Sequence, residues 1–180
     1  DNNRFSLLEE NDSLYFNSDK HYTQGLRLSN LFPDFKPDSA WNGPFNFFND
    51  ISPSFAPVFA PGSAEAPIDR RYSVFLGQSL FTPKNLTLKP PDTKDRPYGG
   101  WLYVGTSLLQ DNNQRSLENL ELDLGVVGPG ALGKQTQNDF HQLIGVKQAQ
   151  GWSSQIQYEP GIMVSYERAW RLPIIGNVDG

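Results

Sequence analysis

The feature that most constrains the fold is a strict alternation of apolar and polar residues at 117–127. The even positions hold Leu120, Leu122, Leu124 and Val126, and the odd positions from 119 to 125 hold Asn, Glu, Asp and Gly. Successive side chains of a β-strand point to opposite faces of the sheet. The period therefore predicts a strand with one apolar face and one markedly polar face.

Further strands are predicted elsewhere in the chain. Residues 154–168 repeat the alternation, and Pro160 within them predicts a bulge or a sheet edge because proline donates no ladder hydrogen bond. Asp111-Asn112-Asn113 is typical of a hairpin turn. The other strand candidates are 5–16, 22–31, 72–81 and 98–110. We therefore expect an all-β, antiparallel fold with about six strands.

Two segments interrupt the β pattern. Residues 32–70 are rich in Pro and Phe, have no sustained period and are predicted to form a long loop. Residues 133–146 are predicted to form a short helix that places Gln137 and His141 on one face, with Ile144 or Gly145 next along it. Because no domain boundary is visible, we expect 1–180 to be a single domain.

The alternating strands fit two environments. A soluble barrel or sandwich would turn its apolar face inward, whereas an outer-membrane barrel would turn it to lipid. No segment approaches the roughly 20 apolar residues of a transmembrane helix. Aromatic residues at or near strand ends favour a membrane-interface girdle. These residues are Trp101, Tyr103, Trp152, Tyr158, Tyr166 and Trp170.

Composition excludes several kinds of function. The formal net charge of −5, with scattered basic residues, argues against nucleic acid as a partner. The absence of cysteine excludes disulfides, thiolate nucleophiles and zinc–thiolate sites. No Gly-x-Ser-x-Gly or His-Glu-x-x-His motif supports a serine triad or a zincin.

Four groups of short motifs, in order along the chain, resemble the outer-membrane lipid A 3′-O-deacylase family of Gram-negative bacteria. They are Glu-Asn-Asp at 10–12 with His-Tyr-Thr-Gln-Gly at 21–25, Phe-Thr-Pro at 81–83 with Asp-Arg-Pro-Tyr-Gly-Gly-Trp at 95–101, Leu-Gly-Val-Val-Gly-Pro at 124–129 with Gln137 and His141, and Gly-Trp-Ser-Ser-Gln at 151–155. Together they span nearly the whole chain except the loop at 32–70.

The resemblance implies a transmembrane β-barrel of twelve antiparallel strands, of which this chain would supply the N-terminal part, about six strands. It also implies location in the outer membrane and a calcium-dependent carboxylic ester hydrolase that removes the 3′-linked acyloxyacyl group from lipid A. The implied partners are lipid A or lipopolysaccharide and the membrane.

The resemblance assigns site residues by position. Asn11, Asp12, Thr23 and His141 match functional positions, and Gln137 matches a neighbouring helix position suited to substrate binding. The family's catalytic lysine lies between 83 and 95, where Lys89 is the first choice and Lys84, otherwise a substrate-binding candidate, the reserve. A functional glutamate six residues after the histidine is Lys147 here.

The chemistry of these residues has a functional interpretation and an ordinary one. His141 is the available neutral-pH base, since the other histidine is His21, but a lone helix histidine commonly just packs. Asn11 and Asp12 offer oxygen ligands to a hard cation such as calcium, with Asp12 expected closest, or a carboxylate that orients the base, although such a pair also forms turns. In either case we expect His141 to lie within reach of Asn11 or Asp12, directly or through one water.

Thr23 falls on the polar face of its strand, where it suits a site lining, although threonine is also a good strand former. Lys89 would neutralise a lipid A phosphate or an oxyanion, although a loop lysine is commonly just solvated. Two alternatives to the deacylase stay open. One is a barrel of the same family without that activity, and the other is a soluble β-barrel carrier of a lipid or small ligand.

The membrane interpretation predicts the orientation of the sheet. The residues expected to face lipid are Leu120, Leu122, Leu124, Val126, Ile156, Ile162 and Val164. Those expected to line the lumen are Asn119, Glu121, Asp123, Gln157 and Glu159. Because an open sheet would leave unpaired edges in lipid, we also expect residues beyond these to complete the barrel at the C-terminal side.

Overall fold

The computed structural model describes residues 2–11, 24–62, 67–112 and 116–170. Its six strands form one antiparallel sheet in chain order. They are β1 (Arg4–Asn11), β2 (Gln24–Leu31), β3 (Ile68–Phe81), β4 (Gly99–Asn112), β5 (Ser116–Val127) and β6 (Glu159–Trp170). All six predicted strands are present, with ends that differ by a few residues, and the predicted strand residues 12–16 and 22–23 lie outside the described ranges. The β5–β6 ladder continues through Pro160 without a bulge, and β6 lies at an edge of the described sheet.

Two α-helices accompany the sheet, α1 (Gly43–Ile51) and α2 (Gly133–Leu143). The prediction of a loop throughout 32–70 was wrong at α1 and at the first residues of β3. Pro44 suits the first turn of α1, where its missing N–H is not needed, but the helix is too short to show a period. Helix α2 was predicted correctly, and it ends before Gly145, whose φ is +72°.

The two faces of the sheet are packed very differently. A Cβ added to Gly105 would lie 2.1 Å from the Phe75 ring and 2.4 Å from Asp123, and one on Gly77 would lie 2.2 Å from Tyr103. Side chains crowd together on the concave side of a curved sheet. We therefore call the face with these polar and glycine positions the inner face.

The inner face carries a partly buried ion pair. The Arg27 guanidinium donates to both carboxylate oxygens of Glu121, at 2.9 and 2.8 Å, and lies 3.6 Å from the Phe75 ring centroid. This bidentate geometry connects β2 to β5 across the two intervening strands. Glu121 and Asp123 are both buried on this face, as the alternation predicted.

The outer face exposes a band of large apolar side chains, the reverse of a soluble sheet. They are Phe5, Leu7, Leu28, Val74, Leu76, Val104, Leu122, Leu124, Ile162 and Val164. Two residues predicted to face lipid are not part of this exposed band. Ile156 precedes β6, and Leu120 is covered by the chain that connects β2 to β3.

The β2–β3 connection, residues 32–62 as described, folds back onto one end of the outer face. Phe45 and Phe59 of this connection form a buried cluster with Leu108 of β4. None of the helices in the described part of the chain is long and apolar enough to cross a membrane.

The same connection covers charged groups on the outer face. Glu118 accepts hydrogen bonds from the Phe59 backbone N–H at 3.0 Å, Tyr166 Oη at 2.7 Å and Arg168 Nη2 at 2.6 Å. Arg70 donates to Gln110 of β4 and to Asn42 and Asn46 of the connection, at 2.8 to 2.9 Å. Glu118 is thus paired with Arg168, and the buried Arg70 guanidinium is hydrogen-bonded to neutral amide oxygens, so neither charge is buried without polar partners.

Candidate functional site

Two described connections meet at the other end of the sheet: 82–98 and 128–158. The last contains α2 and is attached to the start of β4 by two backbone hydrogen bonds, Gly128 N to Gly100 O at 3.0 Å and Ile156 N to Tyr98 O at 2.9 Å. Helix α2 therefore lies on the outer face at the end opposite α1.

A small core holds α2 in place. Leu80, Tyr98, Ala149 and Trp152 form a buried cluster. A Cβ on Gly133, the first residue of α2, would lie 2.7 Å from the Trp152 ring and 2.9 Å from Leu80. The helix can approach the barrel wall this closely because glycine begins it.

The buried face of α2 carries Gly133, Gln137 and His141, spaced four residues apart. His141 is 3% exposed, and its Nδ1 lies 2.8 Å from the Lys147 carbonyl oxygen. Because a carbonyl only accepts hydrogen bonds, Nδ1 must carry the proton. In the neutral ring, Nε2 is then the nitrogen without a proton, and a general base takes up a proton on such an atom.

The Lys147 contact is made by the backbone, and the Lys147 side chain is exposed. A residue of any kind at 147 supplies this carbonyl. The orientation of the His141 ring therefore does not depend on a carboxylate side chain at that position.

Gln137 is held in one orientation by Trp152. The indole Nε1 donates to Gln137 Oε1 at 2.7 Å, and an indole N–H cannot accept, so the amide cannot flip without losing this bond. Gln137 is 1% exposed, and its Nε2 has no hydrogen-bond partner among the described residues. The site thus contains a buried amide donor with an unused N–H group.

Trp152 was predicted for an interfacial girdle, and this was wrong. It lies in a short 3-10 helix, Gly151–Ser154, and is 1% exposed because Leu80, Tyr98 and Gly133 surround its ring. Periodicity misses it because it lies outside every strand. The motif at 151–155 was the available sequence signal.

The first strand ends near this site. Asn11, the last residue of β1, pairs with Gln24, which pairs with Leu80 beneath α2. At about 4.8 Å per strand, the backbone of Asn11 lies about 10 Å from that of Leu80. Asp12 and Thr23 lie outside the described residues, so the approach of His141 to Asp12 stays a prediction.

Both candidate lysines lie in the 82–98 connection, with exposed side chains. The Lys84 backbone N–H donates to Asp95 Oδ2 at 2.8 Å. The connection packs toward α2 through Leu86, whose carbonyl accepts from Gln150 N at 2.9 Å. Lys84 and Lys89 lie at the same end of the sheet as α2. The described contacts bring neither lysine to His141 or Gln137.

The oxygen donors described at this end do not by themselves form a metal site. No group of three or more His, Cys, Asp or Glu residues that would hold a metal occurs within the described ranges. Asn138 Oδ1 on α2 is buried with no hydrogen-bond partner in that part of the chain. Amide and carboxylate oxygens are the ligands that calcium prefers, and the chain has no cysteine for a softer metal.

The sequence profile of the outer membrane protein LpxR family matches residues 1–179. The chain belongs to this family. A solved structure of LpxR from Salmonella typhimurium is similar to the chain, with a TM-score of 0.57 and 22% sequence identity over 83% of this chain. The match covers 40% of the Salmonella chain, so this chain spans less than half of that length. No curated protein matches significantly.

Membership of the LpxR family assigns the two faces of the sheet. The protein is located in the outer membrane, and its antiparallel strands are part of an LpxR-like barrel. The exposed band of the outer face, which includes Leu122 and Leu124, therefore meets lipid. This excludes the soluble carrier and confirms the membrane interpretation of the alternating strands.

Proposed function

We propose that this LpxR-family protein removes the 3′-linked acyloxyacyl group from lipid A by ester hydrolysis. The observation that carries the proposal is the state of His141. It is a buried imidazole on the face of α2 that turns toward the barrel wall, with Nδ1 bound to a carbonyl. This arrangement supports a general base with Nε2 as the reactive atom.

In the proposed reaction, His141 Nε2 takes a proton from water as the water oxygen bonds to the ester carbonyl carbon, and the imidazolium returns that proton to the 3′ oxygen as the carbon–oxygen bond breaks. Asp12 would stabilise the imidazolium that forms, with Asn11 and Thr23 lining the same site. The Gln137 amide has an unused N–H group for the developing oxyanion. Lys89, or Lys84 in its place, would neutralise a lipid A phosphate or the oxyanion.

We further propose that the site binds calcium, with Asp12 as the main ligand and Asn11 beside it. When bound, calcium supplies a positive charge that polarises the ester carbonyl. Exhaustive chelation should abolish deacylation, and added calcium should restore it. Full activity after chelation, or unchanged metal dependence in Asp12→Ala, would count against this site.

The test of the function is mass spectrometry of lipid A from cells that express the complete protein. The expected result is loss of the 3′-linked acyloxyacyl mass. His141→Ala should slow this loss about 10²–10⁴-fold, as removal of a general base does. Gln142→Ala, at an exposed neighbour on α2, is the matched control and should keep the wild-type rate.

The competing function is a family barrel that binds lipid A without cleaving it. The lysine at 147, where family enzymes carry a glutamate, favours this alternative. Lipid A that binds the protein yet keeps all its acyl chains would establish it. Wild-type deacylation by His141→Ala would instead refute the role of His141 while leaving the activity intact.

A further inference from the structure

The β2–β3 connection, residues 32–62, has a buried side and an exposed side that are both apolar. The buried side packs Phe45 and Phe59 against the sheet. The exposed side carries Trp41 at 66%, Phe47 at 57%, Ile51 at 63% and Phe55 at 91% exposure. We call these four residues the aromatic ridge. Packing against the barrel does not explain the ridge, because each of its side chains is more than half exposed, although the Trp41 ring also contacts Tyr72 of β3.

The aromatic ridge is continuous with the lipid-facing band. The connection lies on the outer face, next to Val74 and Thr106 of that band. A groove of about 450 Å³ at the junction is lined by Phe35, Trp41, Tyr72, Val74 and neighbouring residues. A lipid acyl chain lying on the band therefore reaches Trp41 without crossing a polar surface.

The bare band is the part of the lipid-facing band that neither α2 nor the β2–β3 connection covers. Its height indicates that lipid extends onto the connection. On β4 the outer face is covered at Gly100, by Ala131 and Gly133, and at Leu108, by the Phe45 cluster. The residues between them span about 24 Å along the strand, or about 18 Å along the membrane normal at a tilt near 40°. Outer-membrane barrels present an apolar band about 25 Å tall. The rest of the apolar band must therefore come from side chains that are packed over the ends of the strands.

The chemistry of the ridge fits the boundary between hydrocarbon and headgroups. Tryptophan and phenylalanine side chains on an amphipathic helix bury themselves there. Helix α1 has no acidic residue in its first turn. The one charged residue of the helix, Asp50, is exposed in its last turn beside Ile51, and Lys36 and Asp38 lie outside the helix, where they can reach water.

We propose that the aromatic ridge docks into the phospholipid surface at the end of the barrel opposite α2. The connection then serves two purposes. It shields the charged groups Arg70 and Glu118 from lipid, and it anchors the barrel at a fixed depth. Naming that leaflet as the one opposite lipid A rests on the proposed function, whereas docking itself does not.

Spin labels test the proposal, since the chain has no cysteine of its own. Phe47→Cys and Phe55→Cys would be labelled in the complete protein, reconstituted in vesicles of phosphatidylethanolamine and phosphatidylglycerol. Val104→Cys, on the bare band, is the lipid control, and Asp38→Cys, exposed in the same connection, is the water control. The measurement is the accessibility of each label to oxygen relative to a water-soluble nickel chelate.

The expected result is an oxygen-to-nickel ratio at both Phe47 and Phe55 that is several-fold above the ratio at Asp38 and close to that at Val104. A ratio like that of Asp38 at either position overturns the proposal. Because the measurement involves no lipid A cleavage, its outcome is independent of the deacylase activity.

Discussion

Replacing Trp152 with phenylalanine tests the hydrogen bond that orients Gln137. The change keeps an aromatic ring in the core but removes the N–H that lies 2.7 Å from Gln137 Oε1. A buried acceptor left without its donor costs about 1–3 kcal/mol. The smaller ring also loses packing against Tyr98 and Leu80, so the single variant overstates the hydrogen bond.

A double-mutant cycle removes the packing contribution. Gln137→Leu alone leaves the indole N–H without an acceptor, while the double variant makes both partners apolar, which is nearly neutral. Urea unfolding of the four proteins should therefore give a coupling free energy of about 1–3 kcal/mol. Trp170→Phe, at an exposed tryptophan, should change little. Additivity within about 0.5 kcal/mol would refute the contact.

Four further predictions follow from the packing. Leu122→Arg should cost about 2–4 kcal/mol of folding free energy in lipid, and wild-type stability would contradict a lipid-facing position. Glu118→Leu should cost about 3–5 kcal/mol because it leaves buried donors unpaired, so a neutral result in urea unfolding would argue against that network. Gly105→Ala should cost about 1–3 kcal/mol through overpacking, whereas Gly43→Ala, with open space around it, should not; equal effects would oppose a crowded inner face. Lys147→Ala should keep the deacylation rate within about twofold, since the carbonyl remains, and a large loss would show that the side chain acts.

The strands were predictable because their environment repeats every two residues. The alternation at 117–127 correctly placed Glu121 and Asp123 on the inner face and Leu122 and Leu124 on the outer face. It did not predict that Leu120 is partly buried. That residue has the correct phase, but a distant segment covers it, and periodicity carries no information about which parts of a face are covered.

Helix α1 escaped prediction for a related reason. Its nine residues include Pro44 and several Phe and Asn residues, which are weak helix formers. Contacts of Phe45 with Phe59 and Tyr72, far along the chain, stabilise it. Helix α2 was predictable because its buried residues, Gln137 and His141, are separated by one turn.

The site was predictable in part. The motif match identified Gln137 and His141, which the structure buries on one helix face. It did not reveal the Lys147 carbonyl as the acceptor at His141 Nδ1, because a backbone carbonyl leaves no trace in residue identity. It also did not reveal the Trp152 indole as the donor to Gln137 Oε1. Trp152 carried a sequence signal, its motif, but no indication of its role.

The carbonyl at Nδ1 bears on whether lysine at 147 is compatible with catalysis. The backbone carbonyl at 147 fixes the His141 tautomer whatever the side chain, whereas a carboxylate side chain beside the ring would in addition stabilise the imidazolium by its charge. Charge-assisted hydrogen bonds are about twice as strong as neutral ones, so the difference is on the order of 1 kcal/mol, or somewhat under tenfold in rate. Loss of the base itself would cost about 10²–10⁴-fold. On the proposed mechanism, Lys147 thus slows the reaction without preventing it, and Asp12 must supply the missing negative charge.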